Sequence, residues 1–150
     1  MQAHISIITL AVNDLQASLA FYRDGLGLAT EGIMGTEFEH GAVVFFELQG
    51  GLKLAIWPRA SLAHDTGLPA AAPGTTKQAA TAPGTPSFAI GHNVASPAAV
   101  DALMAQAQAS GAAIVKPAQD TFWGGYGGYF QDPDGHLWEI VFNPDWQLAE

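Results

Sequence analysis

Apolar residues in this chain come in short runs broken by glycine and proline, and the same succession of runs occurs twice. The first copy opens with Ile5 to Val12, a strand-like segment. Asp14 then can cap a helix whose Leu15, Leu19 and Tyr22 share a face and which ends near Gly25 and Gly27. Strand candidates follow at Leu28 to Met34, Thr36 to Leu48 and Leu52 to Trp57. The second copy begins with a strand at Ser87 to Val94. Ser96 and Pro97 make a helix start, Val100, Leu103, Met104 and Ala107 form one face, and Gly111 ends the helix. Strands at Ala113 to Thr121, Gly125 to Gln131 and His136 to Phe142 complete it. Between the copies, Arg59 to Pro86 is rich in Ala, Pro, Gly and Thr without periodicity and reads as a long loop or linker.

The pattern predicts an α+β chain, one domain over residues 1–150, made of a βαβββ module written twice: about 4–58, a linker at about 59–86, and about 87–145. One helix cannot cover both faces of a four-stranded sheet. The two modules are therefore expected to pair, with helices outside and a central cleft as the default site.

Composition narrows the class. With 49% hydrophobic and 13% charged residues the chain is globular. Zero cysteines exclude disulfides, thiolate zinc sites and a cysteine nucleophile, and fit a cytoplasmic setting. Nothing at the N-terminus resembles a signal peptide, and the apolar runs are of strand length, far below the ~20 residues of a spanning helix. A formal charge of −9 disfavours nucleic acid and anionic membranes as partners and favours cationic ones.

Candidate chemistry concentrates in Phe122 to Asn143. Asp132-Pro133-Asp134-Gly135 is a turn that closes a hairpin onto the last strand. Ahead of it, Trp123, Tyr126, Tyr129 and Phe130 are interleaved with Gly124, Gly125, Gly127 and Gly128, an arrangement that suits a pocket wall. Glu139 is the one carboxylate on the last strand. No nucleophile elbow or triad motif is present, the glycine run does not lie between a strand and a helix start as a phosphate loop would, and Lys53, Arg59, Lys77 and Lys116 are scattered.

The pairing of VNDLQASLAFYRDGLGL (Val12 to Leu28) with GYFQDPDGHLWEIVFNP (Gly128 to Pro144) resembles the vicinal oxygen chelate superfamily, which holds glyoxalase I, ring-cleaving dioxygenases, fosfomycin-inactivating enzymes and bleomycin resistance proteins. The resemblance covers nearly the whole chain apart from the linker. It implies a half-open barrel of paired βαβββ modules, often within a homodimer. Metal-dependent members place four ligands on the sheet floor, and the matching positions here are Ile7, Ala55, Ser87 and Glu139. Only Glu139 is a good donor. By strand parity His4, His92 and His136 point away from that floor, while His40 and His64 read as solvated.

What the resemblance implies is thus a glyoxalase- and bleomycin resistance-like protein that binds a small, aromatic or cationic molecule without metal or other cofactor. Glu139 would serve as base or ligand anchor, with Trp123, Tyr126, Tyr129, Ser87, Trp57 and Phe122 around the ligand. Parity sends Trp138 to the opposite face. The alternative is a lyase, isomerase or dioxygenase whose divalent metal takes Glu139 as one ligand. A third is a metal-free enzyme with Glu139 as base toward a carbonyl compound. A purely structural Glu139, hydrogen-bonded to Ser87 or Thr9, is also open.

Overall fold

Local chemistry sets both helix starts. The computed structural model describes residues 3–69 and 87–146, and the chain divides into two units, Met1–Thr76 and Lys77–Glu150. In the first, β1 (Ile7–Val12) leads into α1 (Leu15–Leu19). The Asp14 carboxylate accepts from the Gln16 and Ala17 amides at 3.0 Å each, meeting two of the donors that a helix start leaves open. The helix continues into a wider π-helical turn, Ala20–Gly25. That turn brings consecutive side chains together, so Phe21 joins Tyr22 in the core with ring centroids 5.0 Å apart, edge to face. A strict 3.6-residue period does not predict Phe21.

β2 (Ile33–Met34), β3 (Val43–Glu47) and β4 (Lys53–Pro58) complete a sheet in the order β1-β4-β3-β2. β1 runs parallel to β4 and the other neighbours are antiparallel. Leu10, Val12, Val44, Phe46, Leu54 and Ile56 alternate onto one face and are buried. β2 and β3 are much shorter than their apolar runs, because the chain between them turns sharply: Gly35 and Gly41 pack too closely for either to carry a Cβ, and His40 takes a left-handed φ of 61°.

The expected linker begins instead as a helix. α2 (Arg59–Thr66) ends at Gly67, with φ 70°. The Arg59 guanidinium donates to the Ala11 carbonyl at 2.9 Å and to Asn13 Oδ1 at 3.3 Å, which fastens the helix start to the end of β1. Alanine and leucine favour helix even without an amphipathic period, and that outweighed the loop-like composition. Residues 70–86 of the expected linker lie outside the described residues.

The second unit contains β5 (Ile90–Asn93), α3 (Pro97–Ala109), β6 (Ala113–Asp120), β7 (Tyr126–Gln131) and β8 (Leu137–Phe142), with sheet order β5-β8-β7-β6. The α+β class and the repeated βαβββ order are those the sequence predicts. The Ser96 hydroxyl accepts from the Ala99 amide at 3.2 Å to start α3, and Val100, Met104 and Ala107 are buried. Phe130 and Trp138 stack on the same side of the sheet as Ile140, centroids 6.2 Å apart, planes 9° from parallel.

The Asp132 turn is held by its own carboxylate. Asp132 Oδ1 accepts from the Asp134 and His136 amides at 3.0 and 2.8 Å, and Oδ2 lies 2.7 Å from His136 Nδ1. With Asp132 only 2% exposed, this network fixes the register of β7 on β8. β6 shifts register twice around Lys116, and Gly128 of β7 faces the irregularity. A Cβ at Gly128 would lie 2.9 Å from the Ala118 amide nitrogen, the Lys116 carbonyl oxygen and Met104 Cε, so only glycine lets the strands close there.

Candidate ligand site on the second sheet

Because α3 covers one face of the second sheet, chemistry exposed to a ligand must come from the other. Across that face, strand register aligns Gly91 of β5, Glu139 of β8, Tyr129 of β7 and Lys116 of β6 in one row. Residues directly paired across strands project to the same side. Glu139 and Tyr129 are both half-buried, and the Tyr129 hydroxyl donates to Glu139 Oε1 at 2.5 Å.

That bond is the main cause of a Tyr129 pKa pushed up to about 12, with burial second and the carboxylate's charge third. Below that range the phenol keeps its proton and serves as a donor to the carboxylate. On the other side, Lys116 Nζ lies 5.9 Å from the Tyr129 ring centroid, within cation–π reach.

Glu139 Oε2 takes no hydrogen bond among the described residues and lies beside Gly91, where an added Cβ would stand 3.8 Å away. The neighbouring row on the same face is Asn93, Val141, Gly127 and Gln119. Asn93 Oδ1 is buried and has no hydrogen-bond partner among the described residues. The face therefore carries one carboxylate oxygen left open beside Gly91 and, in the next row, one buried amide oxygen with no partner among the described residues.

The structure joins only Tyr129, of the predicted ligand residues, to Glu139. Tyr126 is three positions earlier and so faces the helix side, where its hydroxyl donates to Asp101 Oδ1 on α3 at 2.8 Å. The sequence reading sets Tyr126 around the ligand, whereas the register sets it on the face opposite Glu139. The Asp101 bond, then burial, holds the Tyr126 phenol above its ordinary range. Phe122 is fully exposed in the β6–β7 connection, and the Trp123 ring lies over Gly125 near it, so neither belongs to the row. Ser87 is exposed ahead of β5, and the residue in register with Glu139 is Gly91. Trp57 belongs to the first unit, where its indole N–H donates to the His40 carbonyl at 3.0 Å. The His40 ring in turn stacks on His64 at 4.2 Å.

Lys116, Gly91 and Asn93 are site residues that sequence reasoning missed. Lys116 reads in the sequence as one of four scattered cations, and only the register of β6 on β7, which shifts on either side of it, sets it opposite Tyr129. Gly91 and Asn93 were discoverable in principle, since β5 parity follows once its register on β8 is known.

Among the described residues, the side chains around Glu139 do not fit the divalent centre that the family resemblance implies. Glu139 has Gly91 and Tyr129 as its register neighbours. His92 is in register with Ile140 and shares its helix-facing side, and His136 is held by Asp132. No group of three or more His, Asp or Glu side chains is placed to hold a metal ion among the described residues. No described helix is long and apolar enough to cross a membrane.

A family model described as the Glyoxalase/Bleomycin resistance protein/Dioxygenase superfamily matches residues 3–140. Among solved structures, a glyoxalase-related enzyme from Fulvimarina pelagi is 34% identical with a TM-score of 0.77, covering 98% of this chain and 93% of its own. A glyoxalase/bleomycin resistance protein/dioxygenase from Nocardioides is 26% identical, TM-score 0.68, with 99% and 91% covered. FosX, a fosfomycin resistance protein from Listeria monocytogenes, shares the fold at 22% identity, TM-score 0.64, with 97% of each chain covered. No protein of curated function matches.

Proposed function

The chain belongs to the glyoxalase/bleomycin resistance protein/dioxygenase superfamily, and on that premise we propose that it binds a small cationic, partly aromatic molecule without a metal, on the open face of its second sheet. The observation that carries this reading is Glu139. One of its oxygens is held by Tyr129 and the other is open over Gly91, so the carboxylate is oriented but not consumed. A cation arriving there gains a charge-assisted hydrogen bond, and the Tyr129 ring offers a face beside it. The chain's charge of −9 supports attraction of such a ligand. A cytoplasmic, homodimeric protein belongs to the same proposal.

Thermal unfolding with a panel of cationic aromatic compounds, metal-free bleomycin among them, tests it. A binder at about 100 times its Kd should add roughly 2.7 kcal/mol of stability, and Glu139→Gln should remove the shift.

The likeness to the Fulvimarina glyoxalase-related enzyme favours a second reading, that this chain is an enzyme; as a metal-dependent lyase, isomerase or dioxygenase it would use Glu139 as one ligand. Uptake of one equivalent of nickel, zinc, manganese or iron, lost in Glu139→Gln, would decide for it and against metal-free binding.

A further inference from the structure

Resting on that reading, we infer that the ligand's head group is a planar cation with several N–H donors, a guanidinium or amidinium, held between Glu139 and Asn93. The two unmet acceptors determine this choice. Glu139 Oε2 lies beside Gly91, and Asn93 is the next residue of β5 on the same face, roughly 6.6 Å further along the strand. Its Oδ1 is buried without a donor, a state that folded proteins seldom leave uncompensated. At Gly91 a Cβ would meet nothing within 4 Å except Glu139 Oε2, which leaves room for a head group there, and the buried Asn93 amide must turn toward that space to accept from it.

Among the described residues no donor meets either of these two oxygens. The Tyr129 proton is committed to Oε1, and Lys116 lies across the Tyr129 ring on β6. A guanidinium offers five N–H groups in one rigid plane and no acceptor, and its opposite edges can meet two acceptors set this far apart. A simple ammonium engages one of them well, and a quaternary ammonium donates to neither.

Calorimetric titration of the full chain with phenylguanidine, benzyltrimethylammonium and neutral benzamide tests the head group. Phenylguanidine should bind at least about tenfold more tightly than benzyltrimethylammonium. Asn93→Ala should weaken phenylguanidine roughly five- to tenfold and leave benzyltrimethylammonium unchanged. Asn93→Leu, which replaces the unmet acceptor with an apolar group of similar size, should melt at or above the temperature of the parent protein. Equal affinity for the two cations, both lost in Glu139→Gln, would overturn the head-group inference and leave the cation-binding proposal standing. Failure of every cation to bind would overturn both. Tighter binding of benzamide, or a melting temperature several degrees lower in Asn93→Leu, would show that the amide donates or is structural, and would likewise end the inference.

Discussion

The two units share one strand order, yet their equivalent rows differ at each of three positions. In the first, Thr9, Ala55 and Phe45 align across β1, β4 and β3. In the second, Gly91, Glu139 and Tyr129 occupy the same places on β5, β8 and β7. Tyr129 is Phe45 with a hydroxyl, and that hydroxyl accompanies the carboxylate that replaces Ala55. The comparison teaches that the frame tolerates a half-buried carboxylate where the next strand brings a donor to meet it. The outer strands differ too: β2 has two residues, whereas β6 has eight and is irregular, and the position facing them is Val44 in one unit and Gly128 in the other.

Transplanting the pair is the strongest way to break this comparison. Ala55 is 1% exposed, so Ala55→Glu alone should cost about 3–5 kcal/mol in urea unfolding as an uncompensated buried charge. Adding Phe45→Tyr should return roughly 1.5–3 kcal/mol through a hydrogen bond to the carboxylate. A double variant no more stable than the single one would show that the phenol is not what makes the acid tolerable.

The glycines give the next largest effect. Gly128→Ala should lose about 1–3 kcal/mol because two of its three closest neighbours are backbone atoms. Gly91→Ala, with only Oε2 at 3.8 Å, should stay within about 0.5 kcal/mol by the same measurement. Equal costs would mean that strand approach, not site access, accounts for both.

Tyr129→Phe makes the second row resemble the first and should cost about 1 kcal/mol, less than the transplanted bond because Glu139 and Tyr129 are half-buried where Ala55 is fully buried. The smallest effect is confined to high pH. With its folded pKa raised from 10.0 to about 12, Tyr129 keeps its proton when the unfolded chain has lost it. Its contribution to stability is thus complete below pH 10 and fades as pH rises toward 12. Tyrosine ring-carbon NMR in a Tyr126→Phe background should find this late titration, and Glu139→Gln should bring it back toward pH 10.

Much of the frame was legible because it depends on local chemistry. The Asp14 and Ser96 caps, the Asp132 turn and the alternation that buries Trp138 while leaving Glu139 on the open face all follow from residues close in sequence. Phe21 was missed because a π-turn breaks the 3.6-residue period, and α2 because alanine-rich composition was read as loop. In the candidate site, Glu139 stood out, but Tyr126 and Tyr129 could not be ranked without knowing which of them pairs with it across β7 and β8.

The amino-acid order by itself determined the twice-written βαβββ pattern and the parity of each strand, since caps, turns and side-chain alternation act over a few residues. Only the tertiary structure decided which phenol meets Glu139, that Gly91 leaves one of its oxygens open, and that Asn93 shares the face with an Oδ1 unmet among the described residues. Those are matters of register between strands up to 48 residues apart in sequence, and register is set by the packing of whole sheets.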